Sequence, residues 1–168
     1  MRLRQAVTNR LPKSPHKHLL KSERGYSLVE LIIAMGVILI IAGIAVPALV
    51  QAINNARLAR CVGDIRSIGN EVTAAGFTTG NYPTMISEVG MGDMQDPWHN
   101  DYVYVNLRDP ANAGRGRTDR FGVPINNNFD LYSPGADKIS ATSIVAAPSR
   151  DDVIWANDGA WMGLASQF

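Results

Sequence analysis

Residues 25–30 read GYSLVE, and residues 31–50 continue as LIIAMGVILIIAGIAVPALV. The second stretch holds twenty residues without a single charge. At a rise of roughly 1.5 Å per residue, about 20 apolar residues in a helix span the hydrocarbon core of a bilayer. The sequence therefore predicts a membrane-spanning helix, with the carboxylate of Glu30 at the point where the apolar pattern begins.

Charge is distributed unevenly on the two sides of this helix. Residues 1–25 carry seven basic side chains and one acidic one, whereas residues 26–168 carry nine basic and fourteen acidic ones. Because the basic flank of a membrane segment stays in the cytoplasm, we expect a single pass through the inner membrane with the C-terminal part in the periplasm. The acidic balance of that part argues against nucleic acid as a partner.

The N-terminal residues 1–24 contain Pro12, Pro15 and scattered basic side chains, with little apolar periodicity. Two interpretations stay open: a cytoplasmic tail, or a leader that is removed. An ordinary secretory signal has its apolar region before the cleavage site. Here the apolar run follows the candidate site Gly25, so cleavage there would leave the hydrophobic segment on the mature protein.

One helix is predicted from Tyr26 to about Gly76, and Pro47 is expected to kink it because proline lacks an N–H and crowds the preceding turn. Beyond Val50 apolar residues recur at helical spacing, which predicts an amphipathic half. These positions are Leu58, Cys61, Val62, Ile65, Ile68 and Val72. Cys61 is the single cysteine, so an internal disulfide is excluded and a buried thiol is expected.

Three segments rich in β-branched and aromatic residues predict short strands at residues 102–107, 129–133 and 153–155. With irregular connections between them, they fit a small antiparallel sheet laid on the amphipathic half of the helix. The predicted fold class is α+β with a long N-terminal helix. The tryptophans expected to pack the sheet against that helix are Trp98, Trp155 and Trp161.

The junction around Gly25 resembles that of type IV pilin-like proteins. It has Arg24 before the glycine, Tyr26 after it and Glu30 five places beyond it, and the apolar run and Pro47 follow where that family has them. The resemblance implies a cleaved leader at residues 1–25. It also implies a membrane and filament-core helix at residues 26–50 and a globular domain at residues 51–168.

The rest of the chain resembles the major pseudopilin of type II secretion. The matching motifs are NYPT at residues 81–84, DPWHNDY at 96–102, FDLYSPGAD at 129–137 and DDVIW at 151–155. The chain departs from that family in having Tyr26 for phenylalanine, and His99 and Asp101 for glycine and proline. Residues 138–150 also form a longer and mostly apolar loop in place of a short glycine-rich acidic one.

Family resemblance implies that a prepilin peptidase cuts between Gly25 and Tyr26 and that the freed amine of Tyr26 is N-methylated, which keeps its charge. Glu30 has two interpretations, because a lone ionised carboxylate deep in a bilayer costs on the order of 3 kcal/mol. It could lie hydrated at the interface. Alternatively, it pairs in a filament with the Tyr26 amine of the same or a neighbouring subunit, where an unpaired charge would penalise a wrong axial register.

The C-terminal part holds a set of aspartates: Asp130, Asp137, Asp151, Asp152 and Asp158. Scattered loop carboxylates are usually solvated, whereas calcium takes about six to eight oxygen ligands. The resemblance implies a structural calcium at this end of the chain. Its ligands would be the carboxylates of Asp137, Asp151 and Asp152, with the carbonyls of Leu131 and Ser133 as additions. A second charged group, Arg115, Arg117 and Arg120, is expected to be a solvated loop.

The function implied by the resemblance is that of a structural subunit of a type II secretion pseudopilus, and not an enzyme. The subunit would self-associate into a filament with minor pseudopilins, on an inner-membrane assembly platform. Two alternatives stay open. One is a type IV pilus subunit for adhesion, twitching motility or DNA uptake, and the other is an uncleaved membrane-anchored binding domain.

Overall fold

The structure is a computed structural model that describes residues 25–168. The predicted leader therefore lies outside the described residues, apart from Gly25. Within the described residues, the chain divides between Gly43 and Ile44 into two compact units. The elements are helix α1 (Leu28–Thr79) and strands β1 (Val103–Asn106), β2 (Phe129–Ser133), β3 (Val153–Ala156) and β4 (Trp161–Leu164). Short 3-10 helices lie at Ile86–Val89, Pro110–Asn112, Ala147–Ser149, Asn157–Gly159 and Ala165–Gln167.

Helix α1 confirms the predicted long N-terminal helix and runs three residues beyond Gly76. Pro47 lies inside it and does not end it, so the kink expected there stays a prediction. The helix ends where Gly80 adopts a left-handed φ of +77° and its N–H donates to the Gly76 carbonyl at 3.0 Å. Glycine is the residue that takes this conformation without steric cost.

The four strands form one antiparallel sheet in the order β1-β2-β3-β4. The three predicted strands are present and the α+β class is confirmed. Strand β4 was not predicted. It pairs along its whole length with β3, with Trp161 opposite Ala156 and Leu164 opposite Val153.

A core between helix and sheet joins the amphipathic half of α1 to one face of the sheet. The helix contributes four fully buried side chains, Cys61, Ile65, Ile68 and Val72. The remaining buried members are Tyr102, Phe129, Leu131, Val153 and Trp155, with Trp98 partly buried against them. The predicted packing of the sheet on this half of the helix, and the burial of Cys61, are therefore confirmed.

A second apolar cluster contains no residue of α1. Its buried members are Ile125, Ile144, Ile154, Ala156 and Ala165, and Trp161 packs against them. Side chains alternate between the two faces of a strand. In β3, Val153 and Trp155 therefore lie in the first cluster, and Ile154 and Ala156 lie in the second. The expectation that Trp161 packs against the helix is thus wrong, whereas Trp155 packs there as expected.

Candidate functional site

The bond between Gly25 and Tyr26 lies outside helix α1. Residues 25–27 have no regular secondary structure, and all three are exposed. The Tyr26 side chain is 78% exposed. A peptidase needs an accessible backbone that is not held by helical hydrogen bonds, and exposed segments of this kind are preferred sites of cleavage. The predicted cleavage site therefore has a conformation compatible with cleavage.

Ser27 caps the start of the helix. Its Oγ accepts a hydrogen bond from the Val29 N–H at 3.2 Å, and its carbonyl accepts one from the Leu31 N–H at 3.2 Å. Serine is among the best N-cap residues because it satisfies an N–H that has no partner inside the helix. Sequence reasoning missed Ser27, although serine followed three residues later by glutamate is a known signal of a helix start.

Glu30 is exposed and lies in the first turn of α1. A carboxylate there interacts favourably with the positive end of the helix dipole, a contribution of about 0.3–1 kcal/mol. Neither of the two ion pairs found within residues 25–168 involves Glu30. The geometry of a single chain therefore gives Glu30 a modest role in starting the helix and leaves its charge available to another group.

The helix that follows presents apolar side chains outward on every side. Large side chains from Leu28 to Ile41 are exposed, and Leu39 remains 70% exposed. The helix is long and apolar enough to cross a membrane, and its apolar window is not buried by the described part of the chain. Such a surface needs lipid or other apolar helices around it, because water solvates it poorly.

The predicted calcium ligands are not brought together as a site. Asp151 Oδ2 accepts hydrogen bonds from the N–H groups of Ala136 at 2.8 Å and Asp137 at 3.1 Å. The carboxylate of Asp137 in turn accepts the Ile139 N–H at 2.8 Å. Asp151 and Asp137 therefore organise a turn, in which one oxygen of each carboxylate already accepts backbone N–H groups.

Asp152 is fully buried and points to a different partner. Its Oδ2 accepts hydrogen bonds from Arg117 Nη2 at 2.5 Å and from Ser140 Oγ at 2.7 Å. Burial raises the pKa of Asp152 above its ordinary value, against the lowering effect of the Ser140 and Arg117 hydrogen bonds. Burial likewise raises the pKa of Asp130, whose oxygens accept hydrogen bonds from the Arg117 N–H and the Asn126 amide.

The remaining members of the predicted set are Asp158, Leu131 and Ser133. Asp158 accepts the N–H groups of Asn127 at 2.9 Å and Asn128 at 3.1 Å. Leu131 and Ser133 are buried within strand β2. Among residues 25–168, no three histidine, cysteine or acidic side chains are grouped in a way that could hold a metal ion. The residues present do not fit a calcium site in this arrangement.

Arg117 corrects an expectation drawn from the sequence. Arg115 and Arg120 are exposed as predicted, but Arg117 is only 3% exposed, so its assignment to a solvated loop is wrong. Its guanidinium carbon lies 4.1 Å from the centre of the Tyr132 ring, and Asp152 accepts its Nη2–H. No sequence signal links Arg117 to Asp152, which lies 35 positions further along the chain.

Comparison with known families finds a match at the N-terminal end of the chain. Residues 20–46 match the family described as the prokaryotic N-terminal methylation motif, which covers the basic flank, Gly25, Tyr26, Glu30 and most of the apolar run. No curated protein and no solved structure matches the chain. The matched residues coincide with the exposed junction, the helix start at Ser27 and the uncovered apolar helix. The chain thus carries the processing signal of type IV pilin-like prepilins, on a single apolar helix of the kind that anchors a protein in a membrane.

Proposed function

We propose that this chain is a structural, non-enzymatic subunit of a type II secretion pseudopilus. A prepilin peptidase cuts it between Gly25 and Tyr26, the new amine of Tyr26 is N-methylated, and the subunits assemble into a helical filament that helps to export folded proteins. The observation that carries this proposal is the coincidence of the methylation motif at residues 20–46 with an exposed, non-helical Gly25–Tyr26 bond.

The exposed apolar helix supports assembly after membrane insertion. In the bilayer its side chains from Leu28 to Ile41 contact lipid, and in a filament they contact the helices of neighbouring subunits. Glu30 then pairs with the cationic amine of Tyr26 in the apolar filament core. Inner-membrane assembly components and minor pseudopilins are the partners that such a filament requires. The globular part faces the periplasm because the basic residues before the helix stay in the cytoplasm.

The pseudopilus is favoured over a type IV pilus by the way in which the C-terminal region is held. Many pilus subunits close this region with a disulfide, whereas the single Cys61 of this chain lies in the helix core. The C-terminal region is held instead by buried polar contacts such as Arg117–Asp152. The sequence motifs at residues 81–84, 96–102 and 129–137, which resemble those of the major pseudopilin, also support this choice.

Mass spectrometry of the mature N-terminus tests processing. We expect a chain that starts at Tyr26 with a methylated amine, and an N-terminus at Met1 would support the uncleaved membrane-anchored alternative.

Gly25→Val should abolish cleavage, because a branched side chain enters the peptidase site directly beside the scissile bond. Gly36→Ala is the matched control. A β-carbon at either position would meet no atom of residues 25–168 within 4 Å, so neither change places its β-carbon against the described chain.

Deletion of the gene separates pseudopilus from pilus. Loss of exported proteins from the medium, with surface fibres intact, is the result expected for a pseudopilus subunit. Loss of surface fibres, twitching or DNA uptake with normal secretion would assign the chain to a type IV pilus. Complementation with the wild-type chain and with the uncleaved Gly25→Val variant shows whether processing is needed for the same phenotype.

A further inference from the structure

We propose that the buried guanidinium of Arg117 serves as the fixed internal cation of the C-terminal region, so that this chain is stabilised there without a divalent metal ion. The proposal concerns Asp130, Asp151 and Asp152, the carboxylates that lie around this region. It does not depend on whether the subunit belongs to a pseudopilus or a pilus.

Arg117 and its partner Asp152 join segments that are distant in the sequence. Its Nη2 donates to Asp152 Oδ2 at 2.5 Å, directly before strand β3. Its backbone N–H donates to Asp130 Oδ2 at 2.5 Å, and its guanidinium lies 4.1 Å from the Tyr132 ring centre, both within strand β2. Ser140, in the loop that departs from the pseudopilin pattern, donates to the same oxygen of Asp152 at 2.7 Å.

This pair is shielded from solvent. The side chains of Arg117 and Asp152 are 4% and 0% exposed. A charge buried to this degree is stable only when it is paired, and removing one partner leaves the other uncompensated. Nε and Nη1 of Arg117 find no hydrogen-bond acceptor within residues 25–168, so Asp152 and the Tyr132 ring face are the groups that stabilise the guanidinium.

The same contacts compete with a metal ion. Calcium needs about six to eight oxygen ligands at roughly 2.3–2.6 Å, and each lone pair that already accepts a hydrogen bond is one fewer for the ion. Asp152 Oδ2 already accepts Arg117 and Ser140, and Asp151 Oδ2 already accepts two backbone N–H groups. The guanidinium is a covalent part of the chain, so this cation is present whatever the calcium concentration.

Gly135 shows that the turn is built tightly around Asp151. It has a left-handed φ of +70°, and a β-carbon there would lie 2.5 Å from the Asp151 carbonyl oxygen and 2.6 Å from Oδ2. This turn packs its backbone against the carboxylate that the resemblance assigns to calcium. The space beside Asp151 is therefore occupied by the chain itself.

Thermal unfolding of the full-length chain in detergent tests the proposal. The wild-type protein should show the same Tm in excess EDTA and in millimolar calcium. Arg117→Met should lower the Tm by roughly 10 °C, because the Asp152 charge is left buried and unpaired. Arg115→Met is the matched control in the same loop, with an exposed side chain, and should leave the Tm unchanged.

A second variant keeps the test decisive if Arg117→Met does not fold. In Arg117→Met/Asp152→Leu both charges are removed, so this double variant should fold and lose less stability than either single variant. A calcium-dependent rise in the wild-type Tm would overturn the proposal. Equal Tm values for Arg117→Met and Arg115→Met would overturn it as well, as would a double variant that loses the summed stability of both single changes.

Discussion

Gly69 of helix α1 lies directly against the indole ring of Trp155 in strand β3. A β-carbon at position 69 would lie inside the van der Waals radius of the six-membered ring. Trp155 is 4% exposed, and its ring stacks on Phe129 with centroids 5.5 Å apart, so a shift of the ring would disturb other core contacts. The absence of a side chain at Gly69 thus sets how closely the helix approaches the sheet.

Gly69→Ala should destabilise the globular unit by about 1–3 kcal/mol, because overpacking a filled core forces side chains or backbone to shift. The change acts against the gain of roughly 1 kcal/mol that alanine usually brings to a helix interior. Denaturant unfolding of the full-length chain in detergent measures the free energy of unfolding.

Gly63→Ala is the control, since a β-carbon there would meet no atom of residues 25–168 within 4 Å. It should stabilise the helix by about 0.5–1 kcal/mol. If Gly69→Ala and Gly63→Ala changed the free energy of unfolding in the same direction, the packing argument would be contradicted.

The Cys61 thiol should be protected from alkylation in the folded chain. It is fully buried, and burial raises its pKa to about 11, so little thiolate is present and reagents have no access. Labelling followed by mass spectrometry should show reaction only as fast as the protein opens. A rate equal to that of a free thiol in denaturant would show that the helix core is open in solution.

The same thiol makes stability fall at alkaline pH. Since the folded pKa lies above the unfolded value of 9.0, the unfolded state loses its proton first and is stabilised as the pH rises from 9 to 11. Burial also raises the pKa of Tyr102 and Tyr104, which extends the decline to higher pH. Cys61→Ala should reduce the slope of the free energy of unfolding against pH between 9 and 11, while an unchanged slope would assign the decline to the tyrosines.

The carboxylate of Asp96 holds the loop before strand β1 by accepting hydrogen bonds on both of its oxygens. It is 1% exposed and accepts four hydrogen bonds, from the N–H groups of Trp98 and Asn100, the Asn100 amide and the Ser133 hydroxyl. Asp96→Asn turns one acceptor oxygen into a donor facing another donor, at a cost of about 1–3 kcal/mol in the free energy of unfolding. Asp93→Asn, an exposed change three residues away, should have no measurable effect.

Glu30→Ala should leave leader processing intact and block filament assembly, because the Tyr26 amine loses its partner. Glu30→Gln tests the charge alone. It keeps the side-chain length and the serine-to-glutamine capping pattern with Ser27 but removes the negative charge. Electron microscopy of filaments and mass spectrometry of the N-terminus measure the two steps. Glu71→Gln, exposed on the same helix, is the control. Normal filaments formed by Glu30→Gln would remove the charge-pairing role.

Much of this fold could be predicted because its elements follow simple periods. The spacing of Cys61, Ile65, Ile68 and Val72 gave the buried face of α1, and alternation gave strand β2. Strand β4 escaped because Trp-Met-Gly-Leu is short and contains a glycine, which weakens any strand pattern. Strand β4 is fixed by its pairing with β3 and by the second apolar cluster, and the sequence of residues 161–164 alone indicates neither contact.

The polar part of the structure could be predicted less well. An arginine in a glycine-rich stretch reads as a solvated loop residue, and only the folded chain brings Arg117 to Asp152. Ser27 differs, since the serine-to-glutamate spacing was present in the sequence as a local capping signal. Local hydrogen bonds leave a pattern in the sequence, whereas buried charge pairs between distant segments do not.

The order of the strands in the sheet bears on how the domain is made. Strand order equals chain order, and the helix that supplies the other half of the core precedes all four strands. As the ribosome lengthens the chain, each strand after β1 finds its neighbour already synthesised, so the strands can pair one after another in step with synthesis. Arg117 has to wait for an aspartate 35 residues later, so its charge can be paired only after strand β2 and the loop that follows it have been made.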